Sequence, residues 1–287
     1  MSIIIIEGFK VYLETNGKKS IIINSDCIDE CMRVYAENNL EGVAVTTSHD
    51  YKFQNVNFLS KYPEIEHLSI SDGIDNIESI HTLHNLKSLL ISGKNRKIDF
   101  SHFPLLEELI AEWSPGFLNM DKCAYLNSLS FLNYSPKSKD CSSLSVMPWV
   151  KRLEITRSTI FTLNGLEEFD QLEELEFNYC NKLETLCCLD ESRETLVSLR
   201  LDHCKSIKNH EYVTQFARLD TLAYNNGGVI PSIKFIKMMA SLKAFMFVGT
   251  DVIDGDMRPC IGLEYAGFSN KKHFSHTMEQ IKSLSKV

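Results

Sequence analysis

A chain of 287 residues with 44% hydrophobic side chains and a formal net charge of −8 can bury a substantial core, as one elongated domain or two compact ones. Ten per cent aromatics with only 13 glycines and 7 prolines exclude a disordered chain, and the acidic balance excludes generic attraction to nucleic acid or anionic membrane, favouring basic partners instead. Nine cysteines scattered along the chain do not read as a disulfide framework, and no stretch reaches the ~18 apolar residues of a membrane helix, so a cytoplasmic protein is expected.

The first segment, 2-SIIIIE-7, is too short and too soon acidic for the apolar core of a secretion signal. With 9-FKVYLE-14 and 20-SIIINS-25 it reads as short strands, with a hairpin turn at 16-NG-17. Residues 25-SDCIDECMRVYAENN-39 read as a helix, with Ser25 as its N-cap and Ile28, Met32 and Tyr35 on one face. Residues 1–39 are therefore expected to form an N-terminal cap.

From residue 40 the chain repeats itself. The pattern L-x-x-L-x-L/I/F recurs as 65-IEHLSI-70, 86-LKSLLI-91, 106-LEELIA-111, 126-LNSLSF-131, 150-VKRLEI-155, 172-LEELEF-177, 196-LVSLRL-201, 219-LDTLAY-224 and 242-LKAFMF-247, with weaker copies at 40-LEGVAV-45 and 263-LEYAGF-268. The fourth-position anchors are Val43, Leu68, Leu89, Leu109, Leu129, Leu153, Leu175, Leu199, Leu222, Phe245 and Ala266, spaced by 20 to 25 residues. Within a strand the side chains alternate, so Leu68 and Ile70 point inward while His67, Ser69 and Ser71 point out. Apolar returns such as Ile160, Leu163, Leu166 and Phe169 leave room for a turn of helix. A lone unit of this kind cannot bury its own core and needs neighbours stacked on both sides.

This pattern resembles the leucine-rich repeat family over roughly residues 40 to 270. The resemblance implies an α/β solenoid: a curved parallel sheet of about eleven rungs, short helical or irregular convex returns, repeats over residues 40–268, and caps at residues 1–39 and 269–287. It also implies that Cys180 and Cys204 occupy the inward place from which such repeats hydrogen-bond their turn backbone. A metal site built from Cys180, His203, Cys204 and His210 would lack a C-x-x-C pair. Cys187 and Cys188 read as small core filler.

Near the C-terminus, 249-GTDVIDGDMRP-259 and 267-GFSNKKHFSH-276 gather Asp251, Asp254, Asp256, His273 and His276. The aspartates lack EF-hand spacing, and the two stretches read as a cap, with 277-TMEQIKSLSKV-287 as a short amphipathic tail. The pair also resembles a C-terminal signature of bacterial leucine-rich repeat proteins, some of which lie beside toxin genes and are regarded as immunity proteins. There is no Gly-rich phosphate loop and no G-x-S-x-G, so neither catalysis nor a cofactor is expected.

The outward strand positions are not dictated by the core. Over six middle rungs they carry six acids against three arginines, with Trp113 and Tyr179 among them, residue types enriched at interface hot spots. The expected function is non-enzymatic protein–protein recognition by the concave face, through Glu108, Glu112, Trp113, Asn133, Glu154, Arg157, Glu176, Tyr179, Arg200 and His203. The partner would be a protein with a basic surface; the finer expectation is an immunity protein neutralising a cognate bacterial toxin domain. The alternatives are an intracellular adaptor or regulatory subunit, and a metal-dependent enzyme using the C-terminal Asp/His cluster.

Overall fold

A computed structural model describes residues 2–14 and 17–285; Asn16 of the expected turn, and Met1, Lys286 and Val287 of the expected caps, lie outside them. The chain forms two compact units, Met1–Ser128 and Leu129–Val287.

In the first unit, β1 (Ser2–Ile6) and β2 (Phe9–Leu13) make an antiparallel hairpin. It is closed by Glu7 and Gly8, with φ of 49° and 87°, the backbone of a type I′ turn. β2 pairs antiparallel with β3 (Lys19–Ile22), which runs parallel to β4 (Gly42–Val45) after crossing through α1 (Ile28–Glu37).

Ser25 is not the cap of α1: Cys27 is, without a side-chain hydrogen bond. The Ser25 hydroxyl is occupied elsewhere, donating to the Asp50 carbonyl (3.1 Å) and accepting from the Lys52 N–H (3.2 Å). The helix turns Cys31, Met32 and Val34 into the core, while Ile28 and Tyr35 are only half-buried.

The sheet continues in parallel through β5 (His67–Ile70), β6 (Ser88–Ile91) and, past the short return strand β7 (Lys97–Asp99), β8 (Glu108–Glu112). The anchors Val43, Leu68, Leu89 and Leu109 stand opposite one another, as do Val45, Ile70, Ile91 and Ala111, and all are buried. Burial of each large anchor contributes about 1.5–3 kcal/mol. The returns pass through 3-10 turns that add Leu59, Ile80 and Phe100 to the same core, and β9 (Gly116–Leu118) pairs with β7 on that side. Arg96 is buried there without an ion pair among the described residues. Its guanidinium instead donates to the carbonyls of Ser92 (3.1 and 2.9 Å) and Ile74, so the charge is solvated by backbone.

The second unit repeats the scheme in β10 (Ser128–Leu132), β11 (Arg152–Thr156), β12 (Glu174–Asn178), β13 (Ser198–Asp202) and β14 (Thr221–Asn225). After the return strand β15 (Val229–Ile230) come β16 (Ala244–Met246), a second return strand β17 (Asp251–Val252), β18 (Tyr265–Gly267) and α2 (Met278–Leu284). Leu153, Leu175, Leu199, Leu222, Phe245 and Ala266 are in register, so the sequence spacing translates directly into a row of aligned side chains. A second row, Ile155, Phe177, Leu201 and Tyr224, fills the space behind them. α2 opens on a capping box between Thr277 and Gln280 and buries Ile281.

Inside this unit a polar ladder ties several turns to the rung before them. Ser158 Oγ donates to the Tyr134 carbonyl (2.6 Å), Cys180 Sγ to that of Ile155 (3.5 Å) and Cys204 Sγ to that of Phe177 (3.4 Å). This is the role the resemblance implied for the two cysteines. The hydrogen bond with Cys180, reinforced by burial, holds the Cys204 thiol far above the ordinary range, so it stays a neutral donor. Cys187 and Cys188, in contrast, are not core filler: Cys187 is exposed, and half-buried Cys188 donates its thiol to Asn164 Oδ1 at 3.2 Å. At the far end of the ladder Thr250 Oγ1 donates to the Tyr224 carbonyl and accepts the Gly227 N–H (2.8 Å). Thr250→Val keeps the shape but strands both buried backbone groups. It is expected to cost about 2 kcal/mol in urea unfolding; an unchanged midpoint would show that the ladder is not stabilising.

Candidate functional site

The residue following each of β10 to β14 adopts a left-handed backbone: Asn133, Arg157, Tyr179, His203 and Asn226 have φ of 56°, 57°, 56°, 54° and 50°, and Gly249, at the register equivalent beyond β16, has 75°. In that conformation each of the five non-glycine residues donates its own N–H to a carbonyl of the next rung, at 2.8 to 3.0 Å. Asparagine and glycine tolerate this geometry; other side chains pay about 1–2 kcal/mol for it. Three consecutive rungs nevertheless carry Arg157, Tyr179 and His203. The Tyr179 and His203 rings stack at 4.3 Å and 15°, and Tyr179 remains 46% exposed.

Beside this row lies an acidic pair. Glu154 on β11 and Glu176 on β12 are directly opposite one another, an arrangement of like charges that opposes strand pairing. Neither is in an ion pair among the described residues. Neutral donors hold them instead: Ser130 Oγ (3.1 Å) and Thr156 Oγ1 (3.3 Å) on Glu154, and the Asn178 amide on both Glu154 (3.3 Å) and Glu176 (2.9 Å). Arg152 does pair, bidentately, with Glu174 at 3.0 Å for each bond, whereas Arg157 and Arg200 are exposed with no carboxylate partner among the described residues. His203 Nδ1 lies 2.9 Å from Asp202 Oδ1 but without hydrogen-bond alignment; that carboxylate accepts from Asn226 Nδ2 at 2.9 Å.

No protein-family model and no curated protein matches the sequence. Solved structures do match in shape. An internalin from Listeria monocytogenes superposes with a TM-score of 0.53 at 15% identity, over 82% of this chain and 69% of that one. A chain of the Rad7 and Elc1 complex from yeast gives 0.51 at 17%, over 86% and 73%. A leucine-rich repeat protein from Leptospira interrogans gives 0.44 at 14%, over 89% and 78%. The fold is that of leucine-rich repeat proteins. At these identities the likeness concerns the fold alone.

Within the repeats, the second unit brings Glu154, Glu176, Arg200, Tyr179, Arg157, His203 and Asn133 to one face or its border. Asn133, Arg157, Tyr179 and His203 lie one residue beyond their strands, not on them. In the first unit, Glu108 and Glu112 are on β8. The Glu112 carboxylate accepts the Gly93 N–H (3.2 Å), and Trp113, just past the strand, is half-buried rather than fully exposed.

The first unit also holds a concavity of about 380 Å³ on its open face. It exists because small residues, Ser20, Gly42, Ala44, Ser69 and Ser88, take the outward positions of neighbouring strands. A Cβ on Gly42 would stand 2.5 Å from Ser20 Oγ. Reading the middle rungs alone misses this hollow; the run of small outward residues is the signal that finds it.

The C-terminal Asp/His cluster is tied into pairs. Asp251 meets Lys271 (2.9 Å) and His273 (3.3 Å), Asp254 meets Lys234 (3.7 Å), and Asp256 meets Arg258 (2.7 Å). Lys271 holds the Asp251 carboxyl below the usual range, and Arg258 brings that of Asp256 to about 2, so both remain anionic partners of cations. Ser275 N–H donates to the Gly255 carbonyl (2.8 Å) and Met257 N–H to Ser275 Oγ (2.9 Å), which latches segments 249–259 and 267–276 together. Among the described residues no three His, Cys, Asp or Glu side chains are grouped to hold a metal ion. No helix among them is long and apolar enough to cross a membrane.

Proposed function

We propose that this chain is a non-enzymatic, cytoplasmic recognition protein whose open sheet face binds a protein partner through basic groups. In the finer form it is an immunity protein masking a cognate toxin domain, with residues 1–39 and 269–287 closing the ends of the repeats. The observation that carries the reading is the row Arg157, Tyr179 and His203. Each occupies a backbone conformation that Asn or Gly would hold with less strain, in a place where the neighbouring rungs use Asn133, Asn226 and Gly249. Strain retained in three adjacent rungs argues that these side chains are kept for what they touch. Glu154 and Glu176, held by neutral donors and without an ion pair among the described residues, supply the complementary charge for a basic partner, with Arg200 opposite Glu176 on the next strand. Asn133 and Arg200 complete the contact set of the second unit; in the first unit, taken by itself, Trp113, Glu108 and Glu112 are the candidate contacts. The yeast structural neighbour is itself found in a two-protein complex, a use of the fold that also suits an intracellular adaptor.

The test is affinity capture from the native cell, comparing wild type with Tyr179→Asn, Arg157→Asn and Glu176→Lys. One stoichiometric partner should be lost, with a basic surface and an association rate that falls as salt rises. A toxin as that partner selects the immunity role, and any other identity the adaptor role. Arg157→Asn should at the same time stabilise the fold by up to about 1 kcal/mol. A partner indifferent to all three variants would refute the proposed face.

A further inference from the structure

The hollow in the first unit combines three features: apolar walls, carboxylates in excess of cations, and a neutral centre. Leu90 and Ile110 stand side by side in register on β6 and β8, and Ile110 is 40% exposed. Glu14, Glu41 and Glu108 line the same concavity together with a single cation, Lys18. None of the three carboxylates is in an ion pair among the described residues. Two of them are fixed by one neutral donor each: Glu41 Oε2 by the Lys19 N–H (2.8 Å) and Glu108 Oε2 by Ser88 Oγ (2.9 Å). His67, at the centre of the lining, is pushed below its ordinary pKa by burial and, secondarily, by Lys18. Its imidazole is therefore neutral at pH 7 and offers no competing charge.

A cation with a long apolar stem satisfies all of these at once. A small ion would leave Leu90 and Ile110 facing water, and an uncharged apolar group would leave the carboxylates without a counter-charge. Among protein side chains, arginine adds a planar fork that meets carboxylates bidentately and stacks on rings such as Tyr12. We propose that the hollow is an anchor pocket for an arginine side chain of the partner protein, its stem on Leu90 and Ile110 and its guanidinium among Glu14, Glu41 and Glu108. This rests on the sheet face being a recognition surface, and it names the group that surface recognises in the first unit.

The test titrates the full chain, with labelled Leu and Ile methyl groups, with the peptide acetyl-Gly-Gly-Arg-Gly-Gly-amide and with the same peptide carrying citrulline. The arginine peptide should shift the Leu90 and Ile110 methyl resonances saturably. Citrulline, the same shape without the charge, should bind at least about tenfold more weakly. Glu108→Gln should weaken the arginine peptide by a similar factor; Glu14→Gln provides the same readout if that variant is poorly folded. Equal responses to the two peptides, or shifts confined to other methyl groups, would overturn the pocket. A captured partner lost on Tyr179→Asn but indifferent to Glu108→Gln would refute the pocket alone. Arginine-peptide binding in a protein that captures no partner would instead count against the recognition reading.

Discussion

Gly165→Ala is expected to destabilise the fold by about 3 kcal/mol, although the substitution adds one methyl group on a half-buried return. Two costs combine. Gly165 has φ of +102°, outside the range an L side chain adopts readily, which accounts for about 1–2 kcal/mol. Its new Cβ would also press on the Cys141 carbonyl group and stand 2.5 Å from Ser142 Cα. These are backbone atoms that cannot rotate away, so the return must shift, at about 1–3 kcal/mol. The contact is a seam between neighbouring rungs, where the Cys141 N–H donates to the Asn164 carbonyl at 2.7 Å. Urea unfolding of the purified variant measures the loss; a change below about 1 kcal/mol would mean that the seam yields more easily than its geometry allows.

Phe177→Ala should be costlier still, about 3–5 kcal/mol. Phe177 is fully buried and in register with Ile155 on one side and Leu201 on the other, so its removal empties the middle of a row that neighbouring rungs share. Phe161, 40% exposed on a return, is the control: its alanine variant should lose less than about 1 kcal/mol. Similar losses at the two positions, by the same urea titration, would contradict the assignment of the core row.

The repeat and its register were legible because the requirement behind them is simple. A core anchor must recur wherever the chain re-enters the sheet, and Leu153, Leu175, Leu199 and Leu222 recur at the spacing that puts them opposite one another. What was hidden depends on backbone conformation or on distant partners. Tyr179 and His203 give no local sign of a left-handed turn; only Asn133, Asn226 and Gly249 at the equivalent places reveal it. Ser25 has the chemistry of a helix cap, but its hydroxyl is claimed by residues 50 and 52, far along the chain. The hairpin turn at Glu7 and Gly8 lies at the end of an isoleucine run, and the left-handed backbone at Glu7 has no sign in that apolar stretch. In the candidate face, the identities of Glu154 and Glu176 were legible, but their being held by neutral donors, with no ion pair among the described residues, was not.

The left-handed junctions after the strands of the second unit bear on how such a protein changes over generations. Those at Asn133, Arg157, Tyr179, His203 and Asn226 are each secured by a main-chain N–H given to the next rung, a bond that does not depend on which side chain occupies the position. Substitution there would alter the proposed binding surface at a bounded cost in backbone strain and leave the connection between rungs intact. Specificity can thus drift one rung at a time, each step separately tolerable, without the fold having to be re-evolved to follow a changing partner.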